Sequence, residues 1–488
     1  MSPKSFPEGF LWGTATAAFQ VEMGRGEPST QSDWYAWVHD ADNRARGRVS
    51  GDLPEDGPGF WELYPVDFRL AKEELGNNAV RLSLDWSRIF PQSTENVEVA
   101  VERDGFENVS GVEVDEEAMR GLREIADGEA VQRYREILSK ANETGLTVLL
   151  TLYHWPIPLW LHNPIACRDD VENADLRGWL DQRTVVEFAK YAAFAADALG
   201  DLVDLYATIN EPRIVSEHGY LSERGEFPPG LNDPELFLTS MKHLSIAHGV
   251  AYEQVKMWDT KSMSDLGPAS VGVVCVLQYY EPDDPSNALD VAASGFVEYI
   301  FNEWFLSSIL RGDYDMNTDM VVQPEEHLPH MVKGCDFLGL NYYTRWRIKH
   351  AEKGFGSGFD FEFAPCTVGC TDSGYEVYPQ GLRYVIDWAY QRGRRPIYVT
   401  ENGVADAGDE IRERYMLEHL GQVHSAIYED QVPVRGYFYW SLIDNLEWSD
   451  GYKMHFGLFR VDKGNKERTP TKAATIYREI ATSNRLPE

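Results

Sequence analysis

Two glutamates in this 488-residue chain stand where a carboxylate is costly and useful. Glu211 lies in Thr208-Ile209-Asn210-Glu211-Pro212, and Glu401 in Tyr398-Val399-Thr400-Glu401-Asn402-Gly403. Each follows a β-branched or aromatic run that reads as a buried strand, 201–209 before the first and 396–400 before the second. A charge at the tip of a buried strand is expensive unless it is paired. Two of them, each beside an Asn amide, fit a reaction needing a proton donor and an anion on opposite sides of one bond. Glycoside hydrolysis has that requirement.

Both glutamates need a scaffold that brings distant strand ends together. Apolar, β-rich runs recur at 10–16, 78–83, 147–153, 205–210, 270–275, 337–341, 397–400 and 435–440. Helical runs intervene, such as 132–143, 183–198, 235–258 and 380–392. Within 183–198, Val185, Phe188, Ala189, Ala192, Ala193 and Ala196 recur at helical spacing. Eight such alternations predict an α/β fold, a single (β/α)8 TIM barrel with elaborated βα loops, spanning 1–488 as one domain. A barrel with insertions can exceed roughly 400 residues, and no linker divides the chain. An open doubly wound sheet would want an early glycine-rich dinucleotide turn, and the sequence has none. The segment 92–129 is acidic, polar and weakly periodic. It reads as an extended βα-loop insertion near the active-site mouth or as a solvated, salt-binding surface loop, and both readings stay open.

In such a barrel the site lies at the C-terminal strand ends. The first strand leads to Gln20, and the second carries Arg81 and precedes Asp85-Trp86. The third ends at His154-Trp155, the fourth at Asn210-Glu211, the sixth at Asn341-Tyr342-Tyr343 and the seventh at Glu401. The eighth ends at Trp440, with Glu447-Trp448 beyond. Amides and carboxylates pair with vicinal hydroxyls, and indoles stack on the C–H face of a pyranose, so this mixture suits a sugar.

With these motifs in order, the chain resembles glycoside hydrolase family 1, and closely its archaeal β-glycosidase (β-glucosidase/β-galactosidase) branch. The resemblance starts at Phe6-Pro7-Glu8-Gly9-Phe10-Leu11-Trp12-Gly13 and passes through Tyr153-His154-Trp155-Pro156 and Asn210-Glu211-Pro212. It continues in Asn341-Tyr342-Tyr343-Thr344-Arg345 and Thr400-Glu401-Asn402-Gly403, and closes with 440–448 and Phe456-Gly457-Leu458. It implies a retaining β-glycosidase for terminal non-reducing β-D-glucosides, galactosides or fucosides, working through a covalent glycosyl-enzyme. Glu211 would be the acid/base and Glu401 the nucleophile, supported by Arg81 and Tyr343, with the carboxyls ~5–5.5 Å apart. The charge on Glu401 should lift the pKa of Glu211, which falls once Glu401 is glycosylated. Asn210 would bond the sugar 2-OH. Gln20, His154, Asn210, Asn341, Glu447, Trp448 and Phe456 belong to the implied substrate-binding set, with Trp440 as stacking platform and Tyr375 on the leaving-group side. Two positions depart from the family pattern: Arg213 where archaeal relatives usually carry Asn, and Tyr375 where Trp is usual. Both bear on leaving-group specificity.

Transglycosylation shares the same intermediate and is the rival reaction. A non-catalytic sugar-binding relative would lack one carboxylate, whereas both stand here in full motif context. A metal-dependent hydrolase would need a His-x-His or similar cluster after the first strand, and none appears. No metal or cofactor is expected.

The chain carries 45 basic and 79 acidic residues, so 45 − 79 = −34. That balance excludes nucleic acid and anionic membrane surfaces as partners. Arg outnumbers Lys roughly two to one. The preferred reading is a surface adapted to molar salt, where the Debye length falls to about 3 Å. Five cysteines cannot all pair within the chain, and whether Cys366 and Cys370 pair stays open. The residues 1–7 hold no apolar signal core, and no uncharged apolar stretch reaches the ~20 residues of a membrane helix. The expectation is a soluble cytoplasmic protein, and the archaeal resemblance adds a homo-oligomer.

Overall fold

Eight parallel strands close into a barrel in the computed structural model. They are β1 (Leu11–Ala15), β2 (Ala79–Ser83), β3 (Thr147–Tyr153), β4 (Leu205–Asn210), β5 (Ser270–Val276), β6 (Phe337–Asn341), β7 (Ile397–Asn402) and β8 (Val434–Trp440). The structure describes residues 4–261, 269–356 and 358–487; the first three residues of the N-terminal stretch lie outside them. Each strand pairs with its neighbours in sequence, and β1 closes on β8 in register from Leu11↔Gly436 to Ala15↔Trp440. Burial on both faces explains the near-continuous apolar runs: β2 is buried throughout and β3 in all but its first residue.

Several outer helices begin at side-chain caps. Asp181 accepts from the Arg183 N–H at the start of Gln182–Leu199, and Asp233 accepts from Glu235 and Leu236 ahead of Pro234–Trp258. Pro234 sits at the first helical position, where no N–H is needed.

The β-ladders break next to both glutamates. The β4–β5 register shifts between Ala207 and Asn210, and the β6–β7 register shifts between Val399 and Glu401. A bulge re-aims the residues beyond it, so strict strand alternation does not decide where these tips point. At Gly403, a Cβ would stand 1.8 Å from the Trp440 carbonyl oxygen, so β7 and β8 can meet at their tips only with glycine there.

The segment 92–129 departs from the reading as an irregular loop. It holds an antiparallel hairpin, Ala100–Arg103 with Val109–Glu113, and a helix, Glu116–Ile125. Its position at the active-site mouth is also corrected. Gln254 Nε2 donates to the Val112 carbonyl at 2.7 Å, Trp258 Nε1 to Val114 at 3.2 Å, and Arg123 pairs with Asp197 at 2.8 Å. The segment therefore lies across the outer helices. Its few apolar residues, such as Met119 and Leu122, anchor it there, while Glu98, Glu102, Glu113, Glu116, Glu117 and Glu124 are exposed. Short elements dominated by charge leave little periodicity to read.

A three-stranded sheet, Tyr279–Pro282, Arg345–Phe355 and Phe359–Phe363, stands beside the barrel. Cys366 and Cys370 are disulfide-bonded, with Cα atoms 5.9 Å apart. Among the described residues, no group of three or more His, Cys, Asp or Glu could hold a metal ion, and no helix is long and apolar enough to cross a membrane.

Candidate active site

Arg81, buried in β2, ties the strand tips together. Its Nη1 donates to Glu401 Oε1 at 2.5 Å, its Nη2 to Asn210 Oδ1 at 2.6 Å, and its Nε to Thr151 Oγ1 at 3.1 Å. Tyr343 OH donates to the other Glu401 oxygen at 2.5 Å. A guanidinium and a phenol thus stabilise negative charge on Glu401 from both sides.

Glu211 is placed differently. Its Oε1 accepts from Asn341 Nδ2 at 2.7 Å, and Asn341 is itself oriented by Thr400 Oγ1 at 2.7 Å. Burial and then the neighbouring Glu401 charge push the Glu211 carboxyl up, against the opposing influence of Asn341, Arg213 and Arg81. Glu211 sits at φ 49°, directly before Pro212 opens the helix Pro212–Tyr220. Trp155 (φ 85°) and Trp448 (φ 45°) share that left-handed backbone and line the same cavity. Such residues store roughly 1–3 kcal/mol each and persist only where the surroundings over-determine them.

A cavity of about 240 Å³ opens over these carboxyls. Gln20, His154, Glu211, Tyr343, Tyr375, Glu401, Trp440, Glu447, Trp448 and Phe456 all line it. Arg81, Asn210 and Asn341 form the layer beneath. Asn210 is wholly buried; its Oδ1 accepts from Arg81 and Asn341, and its Nδ2 meets His154 Nε2 at 3.1 Å. One Nδ2 hydrogen remains beyond that contact. Burial and the Arg81 charge hold the His154 imidazole well below its ordinary pKa, so Nε2 can accept. Gln20 Nε2 donates to Leu446 O at 2.8 Å and Glu447 Oε2 at 3.3 Å. His154 Nδ1 and Gln20 Oε1 are buried without a protein partner. Glu447 is raised to about 8 by burial, then by Asp450, Glu401 and Glu211. Trp448 lies nearly parallel to His154, with ring centres 6.1 Å apart, and Trp440 is 6.2 Å away from the same ring.

Some strand-end residues turn elsewhere. Asp85 bonds Ser29 and Ser87, Trp86 stacks on Tyr191, and Tyr342 OH donates to the Tyr378 carbonyl. Sequence reasoning missed Asp450, His218, Glu226 and Gln278, which also line the cavity. Asp450 was within reach, three residues past Glu447. His218 lies in the helix Pro212–Tyr220, and Glu226 and Gln278 lie on connections with no periodic signal.

A stabilised carboxylate at the tip of β7 and a carboxyl pushed toward its protonated form beyond the tip of β4, facing each other across the barrel mouth, can perform nucleophilic attack and proton donation on one bond. The Glycosyl hydrolase family 1 profile matches residues 2–106 and 121–486, and its gap falls inside the acidic segment. The β-galactosidase of Pyrococcus woesei is 38% identical over 502 residues, covering 98% of this chain and 97% of that protein. The crystal structure of the β-glycosidase from the hyperthermophile Thermosphaera aggregans superposes with TM-score 0.89 at 37% identity, covering 99% and 98% of the two chains. A β-glucosidase mutant derived from a hyperthermophilic tetrameric structure gives 0.86 at 37% identity, covering 99% and 97%. The chain belongs to glycosyl hydrolase family 1 and is a glycoside hydrolase.

Proposed function

We propose that this enzyme is a retaining β-glycosidase for terminal non-reducing β-D-glucosides, galactosides or fucosides, with Glu401 as nucleophile and Glu211 as acid/base. The asymmetry of the two carboxyls carries the reading. Glu401 receives Arg81 and Tyr343, each at 2.5 Å, whereas Glu211 receives one amide and is pushed toward its protonated form. Glu401 attacks the anomeric carbon while Glu211 protonates the departing oxygen. Once Glu401 is esterified, its charge no longer raises Glu211, which then serves as the base for water. Asn210 offers its spare hydrogen to the 2-OH. Gln20, His154 and Glu447 pair with the remaining hydroxyls, with Trp440 and Trp448 against the ring. Asn341 orients Glu211, and Phe456 and Tyr375 close the apolar wall. Transglycosylation draws on the same glycosyl-enzyme when a sugar replaces water.

The whole chain acts as one barrel domain. Its charge of −34 and its exposed acidic segment support a protein working at high salt. Likeness to a protein with a tetrameric parent supports a homo-oligomer. The test of the central reading is Glu401→Gly. Hydrolysis should fall by at least about 10⁴-fold, and azide should restore turnover with product of inverted configuration. Undiminished hydrolysis by the variant would contradict it.

A further inference from the structure

The five cysteines fall into two kinds. Cys167, Cys275 and Cys335 are buried free thiols. Cys366 and Cys370 form a disulfide, with Cys370 exposed and Cys366 half-buried. The bridge joins residues only four apart in sequence. A crosslink restrains the unfolded chain less the shorter the loop it closes. A chain of 488 residues also buries a core that needs no staple. The bridge therefore adds little to global stability, and its effect is local.

Beside it stands a wall of the catalytic cavity. Cys370 pairs with Glu376 as an isolated antiparallel bridge, and the Val377 N–H donates to the Gly369 carbonyl at 3.3 Å. Tyr375, the neighbour of Glu376, lines the cavity. Its N–H donates to Thr371 Oγ1 at 3.1 Å, and its carbonyl accepts from the Thr371 N–H at 2.8 Å. Thr371 directly follows Cys370, so the residue that grips the Tyr375 backbone is chained to one half of the disulfide. The Tyr375 ring lies 6.3 Å from Tyr343 and 5.7 Å from Trp346.

The neighbouring supports do not depend on the bridge. Arg345 holds the Glu376 carboxylate at 2.8 Å, and Thr344 Oγ1 accepts from the Glu376 N–H at 2.9 Å. The Tyr343 carbonyl accepts from Tyr415 OH at 3.1 Å. Opening the bridge would thus loosen Tyr375 and leave the Tyr343 contact to Glu401 in place.

No thiol of the chain itself is placed to open it. Exchange needs an attacking thiolate, and burial raises Cys275 and Cys335 above the ordinary thiol range. An exposed bridge is open instead to a thiol from solvent, and exposed disulfides are the labile, regulatory kind.

We propose that Cys366 and Cys370 form an exchange site for an external dithiol, through which the redox state of the bridge sets how firmly Tyr375 walls the cavity. One thiolate of the dithiol attacks a bridge sulfur, and the other cysteine leaves as a thiolate and takes up a proton. The second thiol of the dithiol then resolves the mixed disulfide. Two electrons and two protons pass to Cys366 and Cys370, and the dithiol departs as a disulfide. This regulation rests on the proposed β-glycosidase reading, with the oxidised form holding the wall and the reduced form loosening it.

The test treats the whole enzyme with dithiothreitol or with oxidised dithiothreitol, then labels it natively with N-ethylmaleimide for mass spectrometry. Oxidised protein should carry no label on Cys366 or Cys370, and reduced protein should carry both. Two donors with the same glycone report the cavity: a β-linked disaccharide, and the β-glycosyl fluoride with its minimal leaving group. Reduction should raise KM for the disaccharide at least threefold with kcat within twofold, and leave kcat/KM for the fluoride within twofold. Amide hydrogen exchange at Thr371 and Tyr375 should quicken at least tenfold. The double variant Cys366→Ser, Cys370→Ser should match the reduced parent in both buffers. Labelling of both cysteines without reductant would overturn the inference and leave the proposed function standing. So would an unchanged disaccharide KM once both are reduced, or a redox response that persists in the double variant. An oxidised parent that cleaves neither donor would overturn the function, and the regulation with it.

Discussion

The two sides of Glu211 are built by different means. On the sugar-holding side, nearly every group comes from a barrel strand tip or the few residues after it, and each is fixed by another tip: Arg81 by β3, β4 and β7, Asn341 by Thr400. On the leaving-group side, the groups come from the helix after Glu211, from Gln278 and Tyr280, and from the sheet at 345–363. Both sides hold buried polar atoms without a protein partner: His154 Nδ1 and Gln20 Oε1 on the first, and Arg213 Nε, Gln278 Oε1 and Tyr280 OH on the second. The first side is a preorganised electrostatic site, and the second is a chamber assembled from helix, strand and hairpin residues. Catalysis depends on the first through charge placement in a dry cavity. Specificity for the departing group depends on the second.

That division can be broken most forcefully at Glu211. Glu211→Gln should slow glycosylation by a disaccharide about 10²–10⁴-fold while barely changing activated aryl glycosides or the fluoride, which need little protonation. The variant should also lose the alkaline fall in activity. In the parent, Glu211 must be protonated for the first step, so its raised pKa sets the pH above which activity falls. Equal slowing of all donors would make Glu211 something other than the acid.

Glu447 tests the opposite side. Glu447→Gln should lower kcat/KM by about tenfold on disaccharide and fluoride alike, because both present the same glycone. Different losses on the two donors would blur the division. The same variant has a stability consequence. Glu447 rises from 4.5 to about 8 on folding, so the folded protein binds that proton more tightly. Its stabilising contribution is full below 4.5 and is lost as pH rises toward 8. The glutamine variant cannot ionise, so its Tm should fall less steeply across that window. Parallel Tm curves for parent and variant would contradict this.

The separation also accounts for what the sequence discloses. Strands buried on both faces must be continuously apolar, so the eight runs and the residues at their tips could be read directly. The expected 337–341 coincides with Phe337–Asn341, and the expected 397–400 stops short of the observed Ile397–Asn402. The bulges before Asn210 and Glu401 were hidden, since a register shift leaves no mark in composition. The chamber was hidden for a related reason. It arises where the loop at 221–226 and the start of the strand Tyr279–Pro282 meet the hairpin at 345–363, a tertiary coincidence with no local period. Arg213 could be flagged as unusual, yet its capture by Glu217, one helical turn on, is visible only in three dimensions. The acidic segment misled in the opposite sense, because its charges conceal a hairpin and helix docked on the barrel's outer helices.

Salt should give the smallest effect on the chemistry itself. With a charge of −34, Tm should climb from dilute buffer to molar KCl as repulsion is screened. Full stability in dilute buffer would remove the case for a salt-adapted surface.

The assignment of the two carboxyls is tested most directly by trapping. A 2-deoxy-2-fluoro β-glycoside slows both formation and breakdown of the glycosyl-enzyme by destabilising their oxocarbenium-like transition states, while an activated leaving group, which needs little protonation, keeps formation fast, so the intermediate accumulates. Digestion and mass spectrometry should then find one sugar per chain, on the peptide containing Glu401. A sugar on Glu211 or any other residue, or turnover with inverted product and no adduct, would contradict the account.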